Sequence, residues 1–196
     1  MDGPQTYPFP TLPDYLREGL DVVFVGINPS LYSVQRGHYF ARKTSRFWPA
    51  FSRSVLSEPA RRGLSTATLG PEHDAALLDY GIGFTDVVKQ PSSSAAQVSP
   101  EQFAEWAPRL LERLEHYRPR VACFHGLTGY RPFLRYALGR MEASPALGLQ
   151  PECVGSTRLF VVPNPSPANA HFTLADQIAW YDRLAAVVAE GRAARS

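Results

Sequence analysis

The segment Asp21-Val-Val-Phe-Val-Gly-Ile-Asn28 is an almost unbroken apolar run, and Pro29 ends it. A strand with one face in water alternates apolar and polar residues, whereas a continuous apolar run indicates a strand that is buried on both faces. Strands of that kind are typical of parallel sheets covered by helices. The segment therefore predicts one strand of an α/β sheet.

Three further apolar segments follow, and helical patterns separate them. Ser99, Pro100 and Gln102 form the signature of a helix start, which predicts that the clearest helix begins there and ends before Pro119. Strands that alternate with helices form a central, mainly parallel sheet with helices on both faces, here with four strands. The other expected strands cover residues 83–88, 121–125 and 159–163, and the other helices cover residues 44–56, 130–138 and 174–190. Residues 57–72 are expected to be a loop with a poorly defined helical turn.

The length of 196 residues suits one domain and leaves little room for a second. Residues 1–20 are rich in proline, which predicts an extended arm with one short helix near Tyr15. We therefore expect a single domain over residues 21–192 and a short tail at residues 193–196.

Composition excludes several classes of protein. No apolar run approaches the roughly 18 residues that cross a membrane, and the first residues lack the layout of a signal peptide, so we expect a cytoplasmic protein. The two cysteines form no C-x-x-C pair, which excludes a four-cysteine iron–sulfur cluster and a zinc ribbon. No glycine-rich loop for a nucleotide cofactor is present.

Positive charge is concentrated in one part of the chain, although the formal net charge is only +2. A patch of one sign attracts polyanions such as nucleic acid even when the whole molecule is nearly neutral. Chance clustering is the alternative interpretation. The segment 22–57 contains no Asp or Glu, and its basic residues are Arg36, Arg42, Lys43, Arg46 and Arg53.

Polar residues lie at or just beyond the carboxyl ends of the predicted strands, at Asn28, Asp86, His125 and Asn164. In open parallel sheets, ligands bind beyond the carboxyl ends of the strands. Both asparagines are followed by Pro-Ser, and a proline directly after a strand makes a rigid turn while the amide offers donors and an acceptor. The sequence predicts a pocket for a planar polar ligand here, although Asn-Pro-Ser is also ordinary turn chemistry.

Four motifs along the chain resemble one known family. They are Gly26-Ile-Asn-Pro-Ser30, Gly37-His-Tyr-Phe-Ala41, Ser45-Arg-Phe-Trp48 and Pro163-Asn-Pro-Ser166. Their order and spacing are similar to those of the mismatch-specific uracil-DNA glycosylases, in the thymine-DNA glycosylase branch of the uracil-DNA glycosylase superfamily. The resemblance implies a three-layer α/β/α sandwich around a four-stranded parallel sheet.

The activity implied by this resemblance is hydrolysis of the N-glycosidic bond of uracil, or of a related damaged base, after the base is flipped out of DNA. The product is an abasic site for base excision repair. The implied partner is double-stranded DNA with uracil or mismatched bases, and single-stranded DNA is a further candidate. Neither a metal nor a cofactor is implied, and we expect a monomer.

The resemblance also implies roles for individual residues. Asn28 matches the asparagine that positions the attacking water, and Phe40 matches the aromatic residue that stacks on the flipped base, although a core position is the alternative interpretation of this ring. Asn164 and Ser166 match the second Asn-Pro-Ser motif and, with Ile27, are expected to bind the base. Contacts with DNA are expected from Ser30 and Ser33 and, because of the basic segment, from Arg42, Lys43 and Arg46. A structural role beside Phe47 and Trp48 is the alternative interpretation of Arg46.

Asp86 departs from the family pattern, because relatives carry non-acidic residues at the equivalent place. An amide is not basic near neutral pH, so Asn28 orients water but hardly deprotonates it. A carboxylate accepts the proton of the water and stabilises the oxocarbenium-like sugar electrostatically. We therefore hypothesise that Asp86 is a general base. In the alternative interpretation it accepts loop N–H groups or pairs with Lys89.

The segment Pro167-Ala-Asn-Ala-His171 is a second departure. Relatives carry a Gly-Leu-Ser-Arg type segment here, which wedges into the vacated stack and contacts the opposite guanine. Pro167 and Ala168 form at most a small apolar wedge, and Asn169 or His171 is expected to contact the opposite base or the backbone. We therefore predict weak dependence on the opposing base, so that uracil opposite adenine is also a substrate.

Two other functions compete with this prediction. A non-catalytic module would bind mismatched or damaged DNA and form no abasic product. A hydrolase of free nucleosides would use the same pocket, but it would gain nothing from the basic segment 22–57.

Overall fold

The computed structural model describes residues 7–141 and 144–193. Within these residues, a five-stranded sheet in the order β2-β1-β3-β5-β4 forms the centre, with β4 antiparallel to β5 and the other neighbours parallel. The predicted α/β fold with a mainly parallel sheet is confirmed, whereas the predicted number of four strands is wrong. The strands are β1 (Val22–Gly26), β2 (Ile82–Asp86), β3 (Val121–His125), β4 (Gly148–Val154) and β5 (Thr157–Val162).

The additional strand is β4, at one edge of the sheet. Its residues alternate between more and less exposed positions, and Pro151 lies within it. An edge strand tolerates proline because only one side of its backbone pairs with a neighbour. The segment therefore lacks the continuous apolar run by which the other strands were recognised.

Six α-helices are found among the described residues. The predicted capping box of α4 is present, since Gln102 N donates to Ser99 Oγ (3.2 Å) and Ser99 N donates to Gln102 Oε1 (2.9 Å). The segment 57–72, predicted to be a loop with a poorly defined helical turn, contains a regular helix, α3, in its first part. The helices are α1 (Leu31–Arg36), α2 (Phe47–Arg53), α3 (Glu58–Gly63), α4 (Pro100–Tyr117), α5 (Leu127–Tyr136) and α6 (Leu174–Ala193).

Helices cover both faces of the sheet, as the apolar run of β1 predicted. Phe24 packs with Phe47 of α2 and Tyr181 of α6 in one buried cluster. Val23 belongs to the cluster on the other face, which includes Phe133 of α5 and residues of α4. Successive residues of a strand point to opposite faces, so β1 joins the two cores of a three-layer sandwich.

The described part of the predicted arm packs on the domain. Tyr15 forms an antiparallel bridge with Phe84 of β2, with N–O distances of 2.9 and 3.1 Å, and the predicted helix near Tyr15 is wrong. Residues 1–6 of the arm and 194–196 of the tail lie outside the described residues. None of the described helices has the length and apolar character to cross a membrane.

Candidate active site

The carboxyl ends of the parallel strands surround a cavity of about 830 Å³. The chain runs from β1 to β2 on one side and to β3 on the other, and such a switch in strand order opens a crevice at the sheet edge. Most residues predicted for the site line this cavity. They are Ile27, Asn28, Ser30, Ser33, Phe40, Arg42, Asp86, Asn164, Ser166, Pro167, Ala168 and Asn169.

Three predicted DNA contacts, Lys43, Arg46 and His171, lie outside the cavity lining. Lys43 and His171 are exposed. Arg46 Nη1 donates to the backbone carbonyls of Asn169 (2.9 Å) and Phe172 (3.0 Å). Its guanidinium therefore stabilises the loop after β5, and binding of phosphate by these three residues stays a prediction.

Asn28 stands at the end of β1 with its amide held by the loop after β2. Its Nδ2 donates to the carbonyl of Gln90 (3.0 Å) and to Ser92 Oγ (2.8 Å). A carbonyl only accepts, so these contacts determine the orientation of the amide. The Oδ1 atom makes no hydrogen bond with a described residue and remains an acceptor for a ligand or a water molecule.

Asp86 lies beside Gly26 in the register of β1 and β2, and its carboxylate lines the cavity. The residue is only 3% exposed, and its Oδ2 atom has no hydrogen-bond partner among the described residues. The nearest cation is Lys89, whose Nζ lies 3.8 Å from Oδ2. Burial raises the pKa of Asp86 to about 6, and Lys89 and Arg113 oppose the rise without cancelling it.

A group of buried ions lies next to this carboxylate. Asp14 Oδ1 accepts hydrogen bonds from Lys89 Nζ (2.9 Å) and Thr85 Oγ1 (2.6 Å), and Asp14 Oδ2 accepts one from Arg113 Nη1 (2.9 Å). The side chain of Lys89 is fully buried and that of Arg113 is 4% exposed. With Asp86, these residues form a buried ion cluster of two acids and two bases.

Phe40 borders the cavity in a strained backbone conformation. Its φ of 52° lies in the left-handed region, which a bulky residue rarely adopts and which is often found at functional sites. Its ring stacks on Phe47, with centroids 4.2 Å apart and planes 15° from parallel. Hydrogen bonds on either side stabilise this turn, because Tyr39 N donates to Asp74 Oδ2 (2.9 Å) and Ala41 N to Ser33 Oγ (3.4 Å).

Asn164 carries the second amide of the cavity. Its Oδ1 accepts a hydrogen bond from Ser166 N (2.9 Å), and its carbonyl accepts one from Asn169 Nδ2 (3.1 Å). The Nδ2 group makes no hydrogen bond with a described residue and is available to a ligand. Gly126 has a φ of 93°, and a Cβ on it would lie 3.2 Å from the Cβ of Asn164, so the turn after β3 leaves room for this asparagine.

His125 lines the cavity, although the sequence assigned no chemistry to it. Its Nε2 lies 3.0 Å from the Tyr181 hydroxyl, and its buried Nδ1 has no partner among the described residues. Burial lowers the pKa of His125 to about 3, so the ring is neutral at physiological pH. Its place at the end of β3 was the only signal in the sequence.

The rim of the cavity has two further parts. The serine-rich loop at 92–96 lines one side, and none of its residues was predicted for the site. Near the other, the guanidinium groups of Arg36 and Arg42 each lie 5.1 Å from the ring centre of Tyr32. Neither arginine forms an ion pair with a described residue, so both present unpaired positive charge.

No group of three or more His, Cys, Asp or Glu side chains suitable for a metal ion occurs among the described residues.

Comparison with known proteins gives two findings. The model of the family described as "Uracil DNA glycosylase superfamily" matches residues 13–185. The fold is similar to a solution NMR structure of a candidate uracil DNA glycosylase from Methanosarcina acetivorans, with a TM-score of 0.54 and 19% sequence identity. The match covers 90% of this chain and 96% of that chain. At this identity, the structural likeness concerns the fold alone.

Proposed function

Because this chain belongs to the uracil DNA glycosylase superfamily, we propose that it removes uracil from DNA by hydrolysing the N-glycosidic bond. The observation that carries the proposal is the buried carboxylate of Asp86, which lines the same cavity as the amides of Asn28 and Asn164 and the ring of Phe40. Such a cavity provides an aromatic surface on which a nucleobase can stack, polar groups that can bind it, and a carboxylate that can act as the general base for water.

Recognition begins with the flipped nucleotide. Flipping costs a few kcal/mol, and less for a mismatched base, which favours damaged sites. In the cavity, the part of the Phe40 ring that is not covered by Phe47 stacks on the pyrimidine. The free Nδ2 group of Asn164 donates to a carbonyl oxygen of the base. Uracil has two such oxygens, so a donor at this position suits it.

The chemical step is the attack of water on C1′ of the deoxyribose. Asn28 Oδ1 accepts a hydrogen bond from the water and orients it, and the Asp86 carboxylate accepts its proton. The oxygen of the water forms the new bond to C1′, and the bond from C1′ to N1 breaks with its electron pair going to uracil. The negative charge of Asp86 also stabilises the positive charge that develops on the sugar.

The reaction is expected to depend on the ionisation of Asp86. Its pKa is raised by burial to about 6, so the active, ionised form increases as the pH rises through that value. His125 does not contribute to this limb, because burial lowers its pKa to about 3 and it is neutral throughout. We expect excision to increase up to about pH 7 and then to level off.

We also propose that the enzyme is tolerant of the base opposite uracil, as a member of the mismatch-specific branch with an altered wedge. Pro167 and Ala168 are exposed at the cavity rim, and neither provides a large side chain or hydrogen-bond donors to read guanine. Rates for uracil opposite G and opposite A should therefore agree within about tenfold, since each good base contact contributes about 1–3 kcal/mol. A strict preference for G·U would contradict this tolerance.

The decisive experiment is single-turnover cleavage of labelled duplexes that carry one uracil opposite G or A, with chelator present and alkali to break abasic sites. Asp86→Asn should slow product formation about 100-fold or more, the range of general base catalysis. Asp79→Asn is the matched control, because Asp79 is exposed. Asn28→Ala tests the orientation of water separately.

Other outcomes would lead to different conclusions. Unchanged excision by a folded Asp86→Asn variant, with loss only in Asn28→Ala, would return the mechanism to the asparagine. No abasic product from the folded parent, despite tight binding of damaged duplexes, would indicate a non-catalytic lesion binder. Cleavage of free deoxyuridine but not of oligonucleotides would indicate a nucleoside hydrolase.

A further inference from the structure

Asp14 and Asp86 lie on either side of one buried lysine. The Nζ atom of Lys89 donates to Asp14 Oδ1 at 2.9 Å and to the Tyr39 hydroxyl at 3.3 Å, whereas Asp86 Oδ2 is 3.8 Å away. The Lys89 side chain is fully buried, so these protein groups rather than bulk water determine where its charge lies. The lysine is thus bonded to the acid that lies outside the cavity lining.

Arg113 shows the same arrangement. Its Nη1 atom donates to Asp14 Oδ2 (2.9 Å) and to Thr85 Oγ1 (3.0 Å), and its Nη2 atom donates to the backbone carbonyl of Asp86 (3.1 Å). The guanidinium therefore supports the backbone at the end of β2 and makes no hydrogen bond with the Asp86 carboxylate. Both buried cations have Asp14 as their bonded counterion.

We propose that Asp14 is a positioning residue for the excision reaction, which holds Lys89 and Arg113 so that neither forms a hydrogen-bonded ion pair with the catalytic carboxylate of Asp86. The inference rests on the proposed function of Asp86 as a general base. A carboxylate bonded to an ammonium group is a weaker base than one whose cation is held nearby but not bonded. By binding Lys89 and Arg113, Asp14 keeps both cations near the Asp86 carboxylate but not hydrogen-bonded to it.

The charge state of Asp14 supports this role. Burial disfavours its ionised form, but Lys89 and Arg113 outweigh that effect and hold the pKa of Asp14 at about 2. It is therefore ionised at every pH at which the enzyme would act. Asp86, in contrast, has its pKa raised to about 6 by burial and, to a smaller extent, by the negative charge of Asp14. The pKa values of the two acids in this cluster are thus shifted in opposite directions.

The groups that face Asp86 come from several elements. Lys89 follows β2, Arg113 belongs to α4, Asp14 lies in the N-terminal segment, and Tyr39 precedes the strained Phe40. Burial and Asp14 raise the pKa of Asp86, while both cations lower it. Removing the charge of Asp14 therefore leaves two cations with Asp86 as the remaining acid of the cluster.

Two substitutions should move the titration of Asp86 in opposite directions. In Asp14→Asn, Lys89 is released toward Asp86, so the midpoint of the acidic limb should fall by about one pH unit and the plateau rate should fall several-fold. In Lys89→Met, a buried cation is replaced by an apolar chain of similar length, so the midpoint should rise by about one pH unit.

The experiment combines single-turnover excision from pH 4.5 to 8 with a ¹³C NMR titration of the Asp86 carboxyl group, identified by its loss in Asp86→Asn. Asp21→Asn is the matched control. Asp21 is also a largely buried acid paired with two arginines, Arg120 at 3.0 Å and Arg192, but it lies at the opposite end of β1. It should alter stability without moving either midpoint.

The outcomes separate this inference from the proposed function. Loss of the acidic limb of the pH–rate profile in Asp86→Asn would support Asp86 as the general base. If that limb is lost but Asp14→Asn changes neither the midpoint of the pH–rate profile nor the NMR midpoint of Asp86, the positioning role of Asp14 is wrong. If the parent forms no abasic product, the proposed function is wrong, and the NMR titration still tests the coupling. An NMR midpoint of Asp86 that rises or is unchanged in folded Asp14→Asn would overturn the positioning role of Asp14.

Discussion

Gly26 and Asp86 are opposite each other in the register of β1 and β2, and a Cβ atom built on Gly26 would collide with Oδ1 of Asp86. The φ angle of this glycine is not in the left-handed region, so the requirement for glycine is one of space rather than of backbone conformation. The first glycine of the Gly-Ile-Asn-Pro-Ser motif therefore makes room for a carboxylate that lies 60 residues further along the chain but is adjacent in the sheet.

Gly26→Ala should therefore change the position of the Asp86 carboxylate more than it changes the fold. We expect the new methyl group to displace the carboxylate and to slow excision at least tenfold, since small errors in the placement of catalytic groups cost large factors in rate. Single-turnover kinetics would measure the effect. In an Asp86→Asn background the same substitution should add no further loss, and a further loss would show that Gly26 acts on the substrate directly.

Asp86 is also expected to make the stability of the protein dependent on pH. Its pKa is about 6 in the folded protein, against an ordinary value of 3.8, so the folded state binds more protons than the unfolded state between these values. Stability contributed by this group is present below about pH 4 and is lost as the pH rises through 6. Two pKa units correspond to at most about 3 kcal/mol.

The comparison that tests this pH dependence is the Tm of Asp86→Asn against that of the parent. Between pH 4 and pH 7 the Tm of the variant should rise relative to that of the parent, because the variant has no carboxylate to ionise in a buried site. Asp79→Asn, at an exposed position, serves as the reference. A difference in Tm that is constant over this range would show that ionisation of Asp86 does not destabilise the folded protein.

Phe40 is expected to contribute to excision more than to stability. Stacking of a base on an aromatic ring is worth about 1–3 kcal/mol, so Phe40→Leu should lower the affinity for uracil-containing DNA or the excision rate by a factor of about 5 to 150. Phe40→Tyr keeps the ring and should stay near the parent. Equal effects of both substitutions would favour a packing role against Phe47 instead.

Arg42 is expected to bind phosphate at the cavity rim, with Tyr32 beneath it as a platform. Removal of one phosphate contact reduces the slope of log affinity against log salt by about 0.9. Arg42→Ala should therefore bind DNA more weakly and with a lower salt slope. Tyr32→Leu should reproduce part of this effect, because the ring positions two arginines.

The control for Arg42 is Arg62→Ala, since Arg62 is exposed and paired with Glu58 at 2.6 Å on α3. Fluorescence anisotropy of labelled duplexes at several salt concentrations would give the slopes. An unchanged slope in Arg42→Ala would place the bound phosphates elsewhere, with exposed Lys43 as the next candidate.

The sequence by itself determined the layered fold and the edge of the sheet at which the candidate site lies. The apolar run of β1 indicates burial on both faces. Asn28, Asp86 and Asn164 lie at or just beyond the carboxyl ends of strands that run parallel, so these residues meet at one edge of the sheet. These signals are local, since periodicity and turn residues are read from neighbouring positions. The edge strand β4 gave no such signal, because one of its faces is in water and it contains Pro151.

Only the tertiary structure decided what surrounds Asp86. Asp14 is paired with Lys89 and Arg113 across separations of 75 and 99 residues, and Arg46 bonds to carbonyls more than 120 residues away. A sequence pattern shows that a position is buried, but it does not show which charge lies beside it. The basicity of a buried acid depends on that neighbour at a distance of a few ångströms, and the folding of distant segments against one another sets it.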